Sequence, residues 1–332
     1  MRSLFRLKLM ARFLPAALAA CLAGCGGGGT DMAGGGIGGT GYTAASVGTV
    51  EGFGSVIVGG VRYDTSAAEV FVDNRSVGSG NAVAIQNLAV GMVVRVEGRV
   101  AEDGSARAER VYFGRNLRGA VESVTDLDSV SRQAVILGQT IILDDRTSYS
   151  NTTAASVGVG MVLDVSGYDD ETGGLAATHV NRVFDALPPG EEVDIRGVVQ
   201  NRNAQAQTYD IHGLTVDYSA ADLSALPGAA PENGQLIRAR GTRVAADRLL
   251  ASRLEPEEEF GSGVFEDVYL EGIVARGQAP GEFAIGRYTV RTGPETDYNN
   301  LKPQDVVPGT RVVVRGALAG RVIAARNVSL SE

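Results

Sequence analysis

Only two histidines, His179 and His212, and two cysteines, Cys21 and Cys25, stand among the 332 residues. A zinc site takes three or four nitrogen or sulfur ligands, so that chemistry is nearly excluded. Ser-His-Asp catalysis needs a nucleophile elbow or an equivalent motif, and the sequence has none. His179 lies just before Val180 at an outward polar position and is expected to face solvent. His212, next to Gly213 in a hairpin, reads the same way. Carboxylates are the plentiful reactive groups. Asp126, Asp128, Asp169, Asp170 and Glu171 fall in one stretch of about 45 residues and could offer oxygen ligands to Ca²⁺. No twelve-residue EF-hand loop is present, and acidic turn tips are ordinarily just solvated. The same acids could form a glycosidase pair, which needs two carboxylates about 5–10 Å apart in a cleft. A chain with no tryptophan lacks the usual aromatic platform for a sugar. No catalytic residue and no cofactor is assigned.

The N-terminus is an address. Basic Met1-Arg2-Ser3-Leu4-Phe5-Arg6-Leu7-Lys8 precedes an apolar run from about Phe13 to Ala23, which is a secretory signal too short to span a bilayer. Residues 1–24 carry four basic side chains (Arg2, Arg6, Lys8 and Arg12) and no acid, so their removal takes the net charge from −9 to −13. That balance argues against nucleic acid as a partner, since single strands are held in basic grooves. Residues 25–45 are dominated by glycine through Gly41 and read as a flexible tether.

Four landmarks recur in a fixed order. An eight-residue phrase bounded by glycines runs Gly91–Gly98, Gly160–Gly167, Gly234–Gly241 and Gly309–Gly316, its starts 69, 74 and 75 residues apart. Upstream of each lie Gly48-Thr-Val50, Gly119-Ala-Val121, Gly197-Val-Val199 and Gly272-Ile-Val274. Downstream come Ala108-Glu-Arg-Val111, Ala177-Thr-His-Val180, Ala251-Ser-Arg-Leu254 and Ala325-Arg-Asn-Val328. A second strand signal sits between them, as in Gly213-Leu-Thr-Val216. Each phrase has the length and β-branched content of a strand, and its closing glycine suits a bulge or a close backbone approach. Asp-Gly and Gly-Gly at the tips that follow are hairpin signals.

Units of this size with about five strands expose two edges if flat, and a small barrel removes them. The expectation is an all-β chain of four tandem OB-like barrels: 46–115, 116–186, 193–254 and 267–332. Linkers are expected at 187–192 and at 255–266. The second, rich in glutamate, reads as exposed and mobile. Domains this small are marginally stable alone, so neighbouring units are expected to pack in pairs.

Leu22-Ala23-Gly24-Cys25 resembles the bacterial lipoprotein signal, which implies cleavage before Cys25 and its lipidation. Gly26, where an aspartate would favour inner-membrane retention, implies the outer membrane, facing the periplasm. The tandem phrases from Ser46 to Leu330 resemble a group of bacterial repeat lipoproteins built from a β-rich domain of unknown function, family 5666. The resemblance is weaker in the third unit, where Ala239 replaces the last valine of the phrase. The resemblance adds no mechanism. Because the repeats keep their glycines and apolar positions while polar residues vary from unit to unit, the expectation is a membrane-held, non-catalytic binding or scaffolding module whose partner is an unidentified envelope protein or glycan. A calcium-dependent or glycan-binding module centred on the second unit is the rival reading, and an envelope hydrolase a third.

Overall fold

The computed structural model describes residues 42–331 except 54, 102, 171–173, 261–264, 278–280 and 300. The expected signal, Cys25, most of the tether and Glu171 therefore lie outside the described residues.

The strands fall into four groups with one pairing plan. The first holds β1 (Tyr42–Thr49), β2 (Val56–Val58), β3 (Val61–Asp64), β4 (Glu69–Val72), β5 (Arg75–Ser79), helix α1 (Asn81–Asn87), β6 (Val93–Val100) and β7 (Ala106–Phe113). The second holds β8 (Leu117–Asp126), β9 (Arg132–Ile136), β10 (Gln139–Leu143), β11 (Ser148–Ser150), β12 (Val162–Asp169) and β13 (Leu175–Phe184). The third holds β14 (Val193–Val198), β15 (Gln200–Asn203), β16 (Thr208–Ile211), β17 (Leu214–Asp217), β18 (Leu236–Ala245) and β19 (Arg248–Pro256). The fourth holds β20 (Asp267–Arg276), β21 (Glu282–Ile285), β22 (Tyr288–Arg291), β23 (Arg311–Ala319) and β24 (Val322–Leu330).

In the second group β8 pairs with β9, β9 with β10, β10 with β13, β13 with β12, and β12 again with β8. The fourth group closes the same ring through β20, β21, β22, β24 and β23. All four groups share a parallel pair made with the last strand: β3 with β7, β10 with β13, β17 with β19, β22 with β24. Short β4 and β11 add further parallel pairs with β7 and β13. These are small five-stranded OB-like barrels, in which closure leaves few unpaired edges. An all-β chain is what the phrase lengths predict.

The recurring glycines have spatial reasons. The first glycine of each phrase has a positive φ (Gly91 85°, Gly160 89°, Gly234 82°, Gly309 88°), which a side chain resists. Its N–H donates to the opening strand at 2.8–2.9 Å, reaching Val50, Val121, Val199 and Val274. The closing glycines Gly98, Gly167, Gly241 and Gly316 each sit at a register shift against the returning strand. A Cβ there would stand 2.0–2.2 Å from a carbonyl oxygen of that strand.

The expected pairing of neighbours holds only in part. Groups two and three join through β8 and β14, where Leu117 meets Ile195, and they share one apolar core. Group one joins group four instead, through parallel β1 and β20. The reason lies in β1, which is buried on both faces. Ala44 packs into the first group's core while Ala45 and Val47 pack into the fourth's, the alternation a strand imposes. That strand begins at Tyr42, so the last four residues of the expected tether are part of the folded body.

Two further expectations are corrected. The 255–266 stretch does not present its acids to solvent as a free linker. Pro256 ends β19, Phe260 is buried, and Glu257 pairs with Arg238 at 2.8 Å. His179 is 3% exposed, because its position faces the first group rather than water.

Candidate functional site

Two open clefts lie where groups one and four meet. One, of about 880 Å³, has Tyr42, Tyr269, Arg315, Arg326 and Asn327 among its lining. The other, of about 890 Å³, runs past Arg311 of the fourth group to Ser148 and Arg146 of the second. They share Gly59, Gly60, Asn299, Val313 and Ser329, so together they form one trough. Strand register sets its floor. Tyr269 on β20 faces Arg315 on β23, and Arg315 faces Asn327 on β24. Val313 and Ser329 form the next rung. The tip of the β2–β3 hairpin, Gly59-Gly60, is the wall from group one.

Asp267, 2% exposed, organises one end. Its carboxylate accepts from Arg315 Nε at 2.5 Å and from Arg326 Nη2. Arg315 Nη2 also donates to the Tyr42 hydroxyl at 2.8 Å, and the Arg315 guanidinium lies 5.2 Å from the Tyr269 ring. Burial, and then the Tyr42 hydroxyl beside it, push the Tyr269 phenol well above its ordinary range. The arginine side chains remain 42% and 57% exposed, so their outer N–H groups face the cleft.

At the other end Glu271 is buried beneath Arg311. It accepts from the Thr49 N–H at 2.8 Å, from Arg311 Nε at 2.8 Å and from Ser331 Oγ at 2.5 Å. Burial alone raises a carboxylate; here the Arg311 charge and these hydrogen bonds win, and the group is held below its usual range. The Tyr168 ring lies 5.0 Å from the same guanidinium, tying group two to group four.

A third polar cluster is internal. Arg115 bonds Asp73, Asp164 and Asp194, at 2.5, 3.2 and 3.1 Å. Arg238 bonds Asp194 at 2.9 Å and Glu257 at 2.8 Å, and donates to the Arg115 carbonyl. These residues come from groups one, two and three and are used up in holding them together.

His179 and Ser148 stand 2.9 Å apart, yet they do not make a nucleophile and its base. His179 Nδ1 is also 2.9 Å from the Val90 carbonyl, which only accepts, so Nδ1 carries the proton. Ser148 Oγ lies 2.6 Å from the Val90 carbonyl and 2.9 Å from that of Thr178, to which its own proton can go. A protonated Nδ1 cannot take it. Burial depresses the His179 pKa, with the Val90 bond and Asp164 opposing it. The folded state thus binds that proton less readily than the unfolded chain does. Its stabilisation is complete above about pH 6.5, the ordinary histidine value, and drains away as pH falls toward the depressed one. Urea midpoints measured between pH 5 and 7 should fall on acidification more steeply for the parent than for His179→Gln; parallel curves would refute this.

The acidic candidates are dispersed on hairpin tips. Asp126 pairs with Arg132, and Asp128 accepts the Val130 and Ser131 N–H groups within its own turn. Asp169 ends β12, and Asp170 accepts the Gly174 N–H. Among the described residues no three His, Cys, Asp or Glu side chains gather to hold a metal. His212, at φ 46°, occupies the expected turn between β16 and β17.

Sequence reading missed Asp267, Arg315 and Arg326. A signal was available. In the repeat register Arg315 corresponds to Glu97, Ser166 and Arg240, and Arg326 to Glu109, Thr178 and Ser252. The fourth copy alone carries arginine at both.

Fold and site together define an all-β protein of tandem OB-like barrels with a polar trough at a barrel junction. The sequence profile of the Domain of unknown function (DUF5666) matches residues 46–112, 118–181 and 271–329, more than half of the chain, and the chain belongs to that family. The stretch between the last two matches holds β14–β19, whose pairing order follows the same plan. No curated protein matches. A solved structure described as drosophila Unr CSD456 is similar at 13% identity and a TM-score of 0.18, over 65% of this chain and 96% of that one.

Proposed function

We propose that this protein is a lipid-anchored, non-catalytic binding module of the cell envelope, held by Cys25 on the periplasmic side of the outer membrane. The supporting observation is the trough. It carries two exposed arginines fixed by a buried aspartate, in a cleft open to solvent. The buried Arg115–Arg238 cluster, by contrast, is consumed in joining strand groups, which suits a rigid platform for a partner. In this reading four barrels make up the platform, and a tether of about 16 residues, reaching roughly 20–25 Å, lets it search the space near the membrane. Several acyl chains, rather than one, give stable anchoring.

Membrane fractionation tests the anchor. The intact protein should sediment with outer membranes and its mature N-terminus should weigh as an acylated cysteine. Cys25→Ser should appear in the soluble fraction, and an unmodified N-terminus on the parent would remove the proposal. Affinity capture from those membranes, with the Arg315→Gln variant as the comparison, reads out the platform role. The calcium-dependent rival makes a separate forecast. Melting with Ca²⁺ and then with chelator should give the same temperature on the present reading, and a rise of several degrees with Ca²⁺ would favour the rival.

A further inference from the structure

The trough has a chemistry that selects among ligands, and the inference drawn from it rests on the binding-module reading above. We propose that it binds a polysaccharide bearing carboxylates, a polyuronate, with Arg315 and Arg326 receiving the carboxylate.

A guanidinium has five N–H donors. Arg315 spends its Nε on Asp267 and an Nη2 proton on Tyr42, which leaves Nη1 unspent among the described residues. Among the described residues Arg326 spends only Nη2, on Asp267. The buried carboxylate between them therefore places two partly satisfied guanidinium groups side by side, with their remaining donors turned outward. Charge-assisted bonds of this kind are about twice as strong as neutral ones, and a fixed fork loses little entropy on binding. The Tyr269 and Tyr42 rings, 5.2 and 5.9 Å from the Arg315 guanidinium, hold it in place from the side.

The acids of the trough narrow the choice. Glu266 Oε1 accepts the Thr43 N–H at 3.3 Å, and Asp297 Oδ1 the Asn299 N–H at 2.8 Å, which leaves lone pairs on both. Those lone pairs suit sugar hydroxyls, as do Asn327 and Ser329 on the floor. Polyphosphate has no hydroxyl to donate to those lone pairs and would set its oxygens against both carboxylates, so it fits badly. A neutral glucan would leave the arginine pair unanswered. One carboxylate per sugar, flanked by hydroxyls, matches the order of groups. The continuity of the two clefts, open to solvent along the junction, suits a chain passing through rather than a small molecule enclosed.

Isothermal titration of the full-length protein in detergent tests this with oligogalacturonate and oligoalginate as probes, and dextran and polyphosphate alongside. Binding of at least one polyuronate is expected. It should weaken roughly 10-fold or more in Arg326→Gln and further in the Arg315→Gln/Arg326→Gln pair. Arg291→Gln, an exposed arginine paired with Glu282 away from the trough, should bind as the parent does. Ser329→Trp, which fills the floor and leaves both arginines intact, should also abolish binding, and its melting temperature guards against a folding defect. No binding to either polyuronate, binding unchanged in the double variant, or equal binding of dextran or polyphosphate would each overturn the assignment. If the anchored parent still captures an envelope component, only the ligand class falls and the binding-module reading stands.

Discussion

Gly167→Ala should melt on the order of 10 °C below the parent, while Gly52→Ala should melt within a degree or two of it. The two substitutions add the same methyl group, so the difference isolates where it must go. At Gly167 a Cβ would lie 2.2 Å from the Ala176 carbonyl oxygen and 3.0 Å from the Ala177 Cα, both backbone atoms of a paired strand. Backbone cannot swing aside as a long side chain can, so β12 and β13 must separate at the bulge or the ring must widen. Overpacking of this kind costs about 1–3 kcal/mol in an ordinary core, and the rigid neighbours here place it at the upper end or beyond. For a body of this size each kcal/mol moves the midpoint by roughly 2–4 °C. Around Gly52 no atom lies within 4 Å and φ is not positive, so alanine there only restricts the unfolded chain. Gly98, Gly241 and Gly316 provide internal replicates, with carbonyl approaches of 2.1, 2.0 and 2.2 Å. Differential scanning calorimetry of the four variants decides the matter. If any one of them melts like Gly52→Ala, the closing glycine is dispensable in that group.

The same glycines mark how far the sequence could be read. A bulge or close approach at the end of each phrase was legible because a glycine inside a β-branched run weakens the strand unless the backbone there needs the room. The alanine of Ala-x-x-Val was legible too: Ala108, Ala177 and Ala251 are buried opposite those glycines. The partner of each group was not legible, because a strand's own pattern does not say what covers its second face. Ala44, Ala45, Ser46 and Val47 look like one weakly apolar segment, yet Ala44 lies in one core and Ala45 and Val47 in another. The acids of Glu257–Glu259 look like a solvated linker because their arginine partners, Arg196 and Arg238, lie about 60 and 20 residues upstream, on β14 and β18. His179 was misread for the same reason. Its neighbour Val90 belongs to the preceding barrel. The trough followed from this limit, since it exists only at a junction, although the arginine pair peculiar to the fourth copy was visible all along.

Arg238→Met should cost about 3–5 kcal/mol, the range for removing one partner from a buried ion-pair network. The guanidinium is 1% exposed and has a partner on each side: Glu257 on Nε, Asp194 on Nη1 and the Arg115 carbonyl on Nη2. Burial alone would lower its pKa; the charges of Glu257, Asp194 and Asp73 outweigh it and drive the value above the ordinary arginine range. Methionine replaces most of the volume, so the cost reports charge rather than a cavity. Among the described residues it leaves Asp194, 3% exposed, with Arg115 as its one remaining ion-pair partner, and leaves Glu257 with only the 4.0 Å approach of Arg196. A buried carboxylate stripped of its counter-charge is costly, whereas a pair replaced together by apolar groups can be neutral. The triple variant Arg238→Met/Asp194→Asn/Glu257→Gln should therefore recover part of the loss, although each single carboxamide gives no gain of its own. Removing the exposed pair Arg99–Glu109, with side chains 61% and 55% exposed, should change stability by less than about 1 kcal/mol. Because the network is enclosed, raising the salt concentration should leave the Arg238→Met penalty unchanged. Urea unfolding at low and high salt measures all three quantities. A penalty below about 1 kcal/mol, or one that salt erases, would mean that the junction of the first three strand groups is held by its apolar contacts alone.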